Sequence, residues 1–101
     1  MMANFGFAIA QRRAIKGLTL KDVGGMIGVS DSYLSLIERG LMPPPADAKL
    51  EALGEVLGYK PEEIYVLAGR LPHEYRRYVQ QNTRKVLKSL KRMRKREANC
   101  R

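Results

Sequence analysis

The sequence is nearly empty of the residues that build disulfides, metal sites and nucleophilic active sites. A single cysteine, Cys100, excludes an intramolecular disulfide framework and points to a reducing compartment. A single histidine, His73, together with that cysteine cannot furnish a Cys/His zinc site. There is no glycine-rich phosphate loop and no nucleophile with a plausible base, so neither catalysis nor a cofactor is expected. No apolar stretch approaches the ~20 residues of a membrane span. The run over residues 5–10 is too short for a signal-peptide core, and no basic region precedes it. Strand-like alternation is missing as well. These absences leave an all-α, soluble, cytoplasmic protein with no membrane partner.

Charge is plentiful, and its placement is uneven. Residues 1–69 hold seven Lys/Arg against eight Asp/Glu, a net of −1. Residues 70–101 hold twelve Lys/Arg against Glu74 and Glu97, a net of +10. A near-neutral globular part thus continues into a polycationic segment. That asymmetry calls for a polyanionic partner, nucleic acid first and an anionic membrane surface second.

The first two-thirds reads as short helices between turn signals. A helix over 4–16 has Asn4 as its cap and Gly17 as its stop, with Phe5, Ala8, Ile9 and Ile15 on its inner face. Thr19 caps a second helix ending near Gly28, with Asp22 as its capping-box partner. Ser30 caps a third, which runs to Gly40. The prolines at 43–45 impose an extended linker. A fourth helix covers 47–57, with Leu50, Leu53, Val56 and Leu57 at helical spacing and Gly58 as its stop. Pro61, followed by Glu62 and Glu63, opens a fifth through Ala68, ended by Gly69.

Leu71 and Pro72 divide the chain into a domain over 1–71 and an extension over 72–101. From His73 to about Glu97 there is no Gly or Pro. Tyr75, Val79, Asn82, Val86, Leu90 and Met93 draw one stripe along a single long, basic, amphipathic helix, frayed or disordered toward its end. Tyr59, Tyr65 and Tyr78 are read as packing residues rather than base-stacking platforms. His73 is read as a surface residue. Cys100 is read as an exposed thiol, with a redox-linked dimer resting on its position alone.

Residues 20–39 carry the most specific pattern. Val23, Ile27, Val29, Leu34 and Ile37 are the positions that must be apolar if two short helices cross steeply over a shared core. Gly24 lies where the second helix passes closest, and Gly28 at the tight turn between them. Locked in this way, the second helix protrudes and fits a major groove about 12 Å wide.

With Arg13, Gly17-Leu18-Thr19, the 20–39 pattern and the run from Ser32 to Gly40, residues 5–69 resemble the phage repressor/Cro type of helix-turn-helix domain, the XRE-like regulator family. The segments Leu57-Gly58-Tyr59 and 64–69 also fit that family's fourth and fifth helices. The resemblance implies a five-helix domain that binds operator DNA as a homodimer, here followed by the basic amphipathic helix. It places Ser30, Asp31, Ser32, Ser35 and Leu36 toward the groove and Tyr33 against the sugar-phosphate backbone, with Lys21 and Arg39 among the DNA contacts. It makes Arg13 and Glu38 an internal structural pair. The chain departs from the family in having Leu20 where a phosphate-anchoring Gln is common. It departs again in having Asp31, Ser32 and Leu36 at positions that are commonly Gln, Arg, Lys or Asn.

The expected function is a sequence-specific double-stranded-DNA regulator, a repressor, dimeric on a pseudo-palindromic site in the nucleoid. In this reading residues 75–90 pack on a partner subunit while Lys91, Arg92, Arg94, Lys95 and Arg96 contact phosphates. Two alternatives stay open. One is an antitoxin or adaptor whose basic tail binds an acidic regulatory protein partner; the other is a sequence-indifferent DNA binder acting through the basic tail.

Overall fold

Local capping signals set the helix boundaries in the first two-thirds of the chain. In the computed structural model, which describes residues 4–99, the Asn4 side chain accepts from the Phe7 amide at 2.8 Å and opens α1 (Phe5–Ile15). Thr19 and Asp22 satisfy each other's amides at 3.0 and 2.9 Å, a reciprocal box that starts α2 (Leu20–Ile27). The Ser30 hydroxyl oxygen accepts from the Tyr33 amide at 3.1 Å and starts α3 (Asp31–Glu38). Then follow α4 (Asp47–Leu57) and α5 (Pro61–Leu67), the latter with its proline at the first helical position. Gly28, at φ 78°, makes the left-handed turn that lets α3 leave α2 at an angle. Cys100 lies outside the described residues.

The chain divides into two units, one ending at Arg70 and the other beginning at Leu71. In the first, Phe5 and Ile9 of α1, Val23 and Ile27 of α2, Leu34 and Ile37 of α3, Leu50, Leu53 and Leu57 of α4, and Ile64 and Tyr65 of α5 form one core. Burying each large side chain contributes about 1.5–3 kcal/mol, and five short helices have little else to hold them together. Two glycines decide how closely the helices approach. A Cβ on Gly24 would stand 2.6 Å from the Val29 carbonyl oxygen, so the chain entering α3 rests on the backbone of α2. A Cβ on Gly6 would overlap the Ile37 carbonyl oxygen and lie 2.6 Å from that of Glu38, so α1 touches the end of α3 backbone to backbone.

The inner face of α1 differs from its sequence reading. Ile15 is 73% exposed. Six positions beyond Ile9 it stands about 120° away around the helix, and the inward face continues through the half-buried Arg12 and Arg13 instead.

The second unit also differs. The single long helix expected from His73 onward is two, α6 (His73–Gln81) and α7 (Thr83–Asn99), interrupted at Asn82, whose φ of −129° leaves the helical region. The Asn82 amide nitrogen donates to the Tyr78 carbonyl at 2.9 Å, and the Thr83 hydroxyl reaches the Val79 and Gln80 carbonyls at 3.3 and 3.1 Å. Short polar side chains thus satisfy carbonyls that a continued helix would have used. Arg76 closes the start of α6, donating to the Leu71 carbonyl at 2.7 Å and meeting His73 Nδ1 at 3.0 Å. Of the three tyrosines expected to pack, Tyr65 is buried and Tyr59 half-buried, but Tyr78 is exposed, because α6 buries no residue at all.

Gly6→Ala is expected to destabilise the protein by about 1–3 kcal/mol, since the added methyl meets backbone that cannot rotate away; the urea unfolding midpoint reads this. The Thr19 backbone amide, and then the Thr19 hydroxyl, hold the Asp22 carboxyl below the usual carboxylate range. Its stabilising contribution is therefore present above the unfolded pKa of about 3.9 and lost as pH falls through the lower folded value. Asp22→Asn is expected to lower stability at neutral pH, where that contribution is present, and to make the fall toward acid pH shallower, the two proteins converging below the folded pKa; denaturant midpoints against pH read this.

Candidate nucleic-acid interface

Burial of Leu34 and Ile37, each 1% exposed, fixes which way α3 faces. The opposite side then presents Asp31, Ser32, Ser35, Leu36 and Arg39, which together with Leu20 from the start of α2 line one open groove. Asp31 and Arg39 stand at its two ends, eight residues and roughly 12 Å apart along the axis. The Asp31, Ser32 and Ser35 side chains make no hydrogen bond or ion pair with another described residue. Arg39 lies back along its helix, its Nε 3.4 Å from the Ser35 carbonyl, too long to hold it there.

The other residues singled out from the sequence fall elsewhere. Ser30 lies at the start of α3, where its oxygen serves as the cap. Tyr33 is half-buried and packed against the core, so its ring is part of the fold. Lys21 is exposed on α2, beside Leu20 but outside the groove lining. Lys91, Arg92, Arg94, Lys95 and Arg96 are all exposed on α7, in the second unit.

Arg13 and Glu38 hold α3 from behind. Arg13 Nε donates to Glu38 Oε2 at 2.7 Å and Nη2 to Oε1 at 2.9 Å, a two-pronged ion pair with side chains 20% and 9% exposed. The third donor, Nη1, reaches the Leu18 carbonyl at 2.9 Å. The Glu38 hydrogen bond raises the Arg13 pKa above its already high ordinary value, burial opposing it in part.

Sequence reasoning missed three further cations that brace this frame. Lys49 Nζ donates to the Ile27 carbonyl at 2.7 Å and so caps α2 from α4. Arg12 Nη1 donates to the Leu57 carbonyl at 3.1 Å, its guanidinium lying 4.1 Å from the Tyr59 ring centroid. Arg70 clamps the proline linker, with 2.6 and 3.0 Å bonds to the Pro45 and Pro44 carbonyls and a 3.2 Å bond to Asp47. Each partner is more than twenty residues distant in sequence, so no local signal announces it. Among the described residues, Lys16, Lys21, Arg39, Lys49 and Lys60 are exposed in this unit, and of these Lys49 alone reaches a distant carbonyl.

Arg13→Ala leaves the Glu38 carboxylate half-buried without its cation and is expected to cost about 2–3 kcal/mol of unfolding free energy. Arg13→Lys is expected to recover only part of that, because an ammonium cannot reproduce the fork. Denaturant unfolding of the two variants and of Glu38→Gln gives the comparison.

A family model described as Helix-turn-helix matches residues 9–64. An uncharacterized HTH-type transcriptional regulator of Mycobacterium tuberculosis, in strains CDC 1551 / Oshkosh and H37Rv, is 36% identical over 66 residues. That match covers 65% of this chain and 46% of the relative, so the chain spans less than half the relative's length. Among solved structures, SinR, described as the master regulator for biofilm formation, in complex with DNA, shares 37% identity at a TM-score of 0.54, over 59% of this chain and 95% of that one. The complex of the SinR and SinI proteins gives 27% identity and a TM-score of 0.56, over 93% of this chain and 98% of that one. ClgR, the clp gene regulator from Corynebacterium glutamicum, gives 28% and 0.55, over 82% and 85%. The family match runs from within α1 to within α5 and takes in the crossed pair α2–α3; the chain belongs to the Helix-turn-helix family.

Proposed function

We propose that the protein is a sequence-specific double-stranded-DNA-binding transcriptional regulator, which represses by occupying its site as a homodimer in the cytoplasm. The observation that carries the reading is the groove on α3. Its Asp31, Ser32 and Ser35 side chains make no hydrogen bond or ion pair with another described residue, and they stand on a helix whose opposite side is fixed by burial and by the Arg13–Glu38 fork. The likeness to SinR in complex with DNA supports it.

Charge divides the task. The groove has one anion and one cation, Asp31 and Arg39, so it contributes little net attraction to phosphate. Helix α7 carries eight Lys/Arg against Glu97. Phosphate contacts by Lys91, Arg92, Arg94, Lys95 and Arg96 would supply affinity without reading sequence. Catalysis has no part in this reading.

A second reading rests on the other unit. Tyr75, Tyr78, Leu87, Leu90 and Met93 are 46–57% exposed on α6 and α7, and the likeness to the SinR–SinI complex covers 93% of the chain. An adaptor or antitoxin that binds another protein through α6 and α7 would use these side chains; so would the homodimer.

The deciding experiment is selection from a random duplex library by the full chain at one near-physiological salt concentration. Enrichment of a two-fold-related motif with half-sites about 34 Å apart is the expected outcome. Bound but unenriched duplex would make the protein a sequence-indifferent binder, and no recovery would favour the protein-interaction reading. Changing Lys91, Arg92, Arg94, Lys95 and Arg96 together to Gln is expected to weaken all duplexes alike. It should also reduce the slope of log affinity against log salt by about 0.9 for each phosphate left unneutralised.

A further inference from the structure

The α3 groove has an apolar centre. Between Asp31 and Arg39 its lining includes Leu36 from α3 and Leu20 from α2, both half-buried. Leu20 is packed against the core, so its position is fixed by the fold rather than by solvent. Two leucines from different helices thus line the face where this family's polar side chains are expected. Among the described residues, the groove they line is open to the outside.

The major-groove edges of the four base pairs offer donors, acceptors and one apolar group, the methyl on pyrimidine C5. We propose that Leu36, backed by Leu20, reads that methyl, carried by thymine or by 5-methylcytosine, once in each half-site. This rests on the DNA-binding reading above and deepens it.

The neighbours fix where the methyl lies. Asp31 would be repelled by phosphate, so it is placed over bases, where a carboxylate accepts from the cytosine amino group. Arg39, three residues past Leu36 and on the same face, offers the fork that suits guanine O6 and N7. Ser32 and Ser35 accept or donate and discriminate little. The roughly 12 Å from Asp31 to Arg39 spans three to four base-pair steps of about 3.4 Å. The half-site then reads cytosine toward the start of α3, a C5-methyl pyrimidine in the middle and guanine toward its end.

The test uses the full chain and the duplex recovered by selection. Each thymine is replaced singly by uracil, and each cytosine by 5-methylcytosine, and affinities are measured for the wild type, Leu36→Ala and Leu36→Met. Unfolding midpoints confirm that the variants are folded. At one symmetry-related position the wild type is expected to bind about four-fold more weakly per half-site when a thymine methyl is removed, or about four-fold more tightly when a cytosine methyl is added. Which of the two occurs names the source of the methyl. Leu36→Met should keep the difference and Leu36→Ala should erase it. If no uracil or 5-methylcytosine substitution changes wild-type affinity while the motif is still enriched, the methyl reading is wrong and the DNA-binding reading stands. A methyl effect undiminished in Leu36→Ala overturns it too. Failure to recover any motif removes the underlying reading, and this one with it.

Discussion

The Arg13 guanidinium ties the end of α1 to the Leu18 carbonyl just ahead of α2 and, across twenty-five residues, to Glu38 at the end of α3. Burial of Leu34 and Ile37 sets which side of α3 faces the core, but apolar burial is non-directional and leaves some freedom to roll about that setting. A two-pronged charge-assisted pair removes that freedom, because its bonds are satisfied in one orientation only. Glu38 also occupies the last turn of α3, where the helix dipole disfavours a carboxylate. The ion pair offsets that penalty, and Gly6 lets α1 come close enough for the fork to reach.

The same economy governs the other cations of the first unit. Arg12, Lys49 and Arg70 end on backbone carbonyls at helix ends and along the proline linker. These carbonyls have no partner inside their own segments, and in so small a protein a long side chain from a neighbouring helix is the nearest donor. The consequence is electrostatic. Half of the eight Lys/Arg through residue 70 direct donors onto the protein's own carbonyls or onto Glu38, so the globular unit has less positive charge to offer a polyanion. In the proposed function, attraction is therefore delegated to α7 and discrimination to α3. The two respond differently to salt, because phosphate contacts release counterions and base contacts do not.

What can be read from the sequence is local. Thr19 with Asp22, Ser30, Gly28, Gly58 and Pro61 each act within a few residues, and the helices start and stop where those side chains require. The outward positions of α3 are legible for the same reason, since helical spacing follows once Leu34 and Ile37 are assigned inward. Gly6 and Lys49 are not legible, because their importance depends on which distant backbone lies against them. The break at Asn82 is hidden for a different reason. Gly and Pro are the strong helix breakers, but Asn and Thr compete with the helix by bonding to its carbonyls, and an Asn-Thr pair does so here. Hydrophobicity alone would put Ile15 inside, whereas the angle around the helix decides.

The leucines in the groove bear on how selective such a surface can be. A hydrogen-bonding side chain rejects a wrong base strongly, because mismatch leaves a desolvated polar group without a partner. A leucine has nothing to leave unpaired, so a missing methyl costs only its own apolar burial, and the wrong base is tolerated. In the proposed half-site, discrimination at the centre would then be shallow, and a two-fold arrangement would compound it. The sharper filtering falls to the ends. There, in the proposed contacts, Arg39 would gain from a correct guanine, and Asp31 would penalise any placement that brings it against phosphate or a base acceptor. On this reading Asp31 contributes more by excluding wrong registers than by binding the right one, which reconciles an acidic residue with a surface that must meet a polyanion.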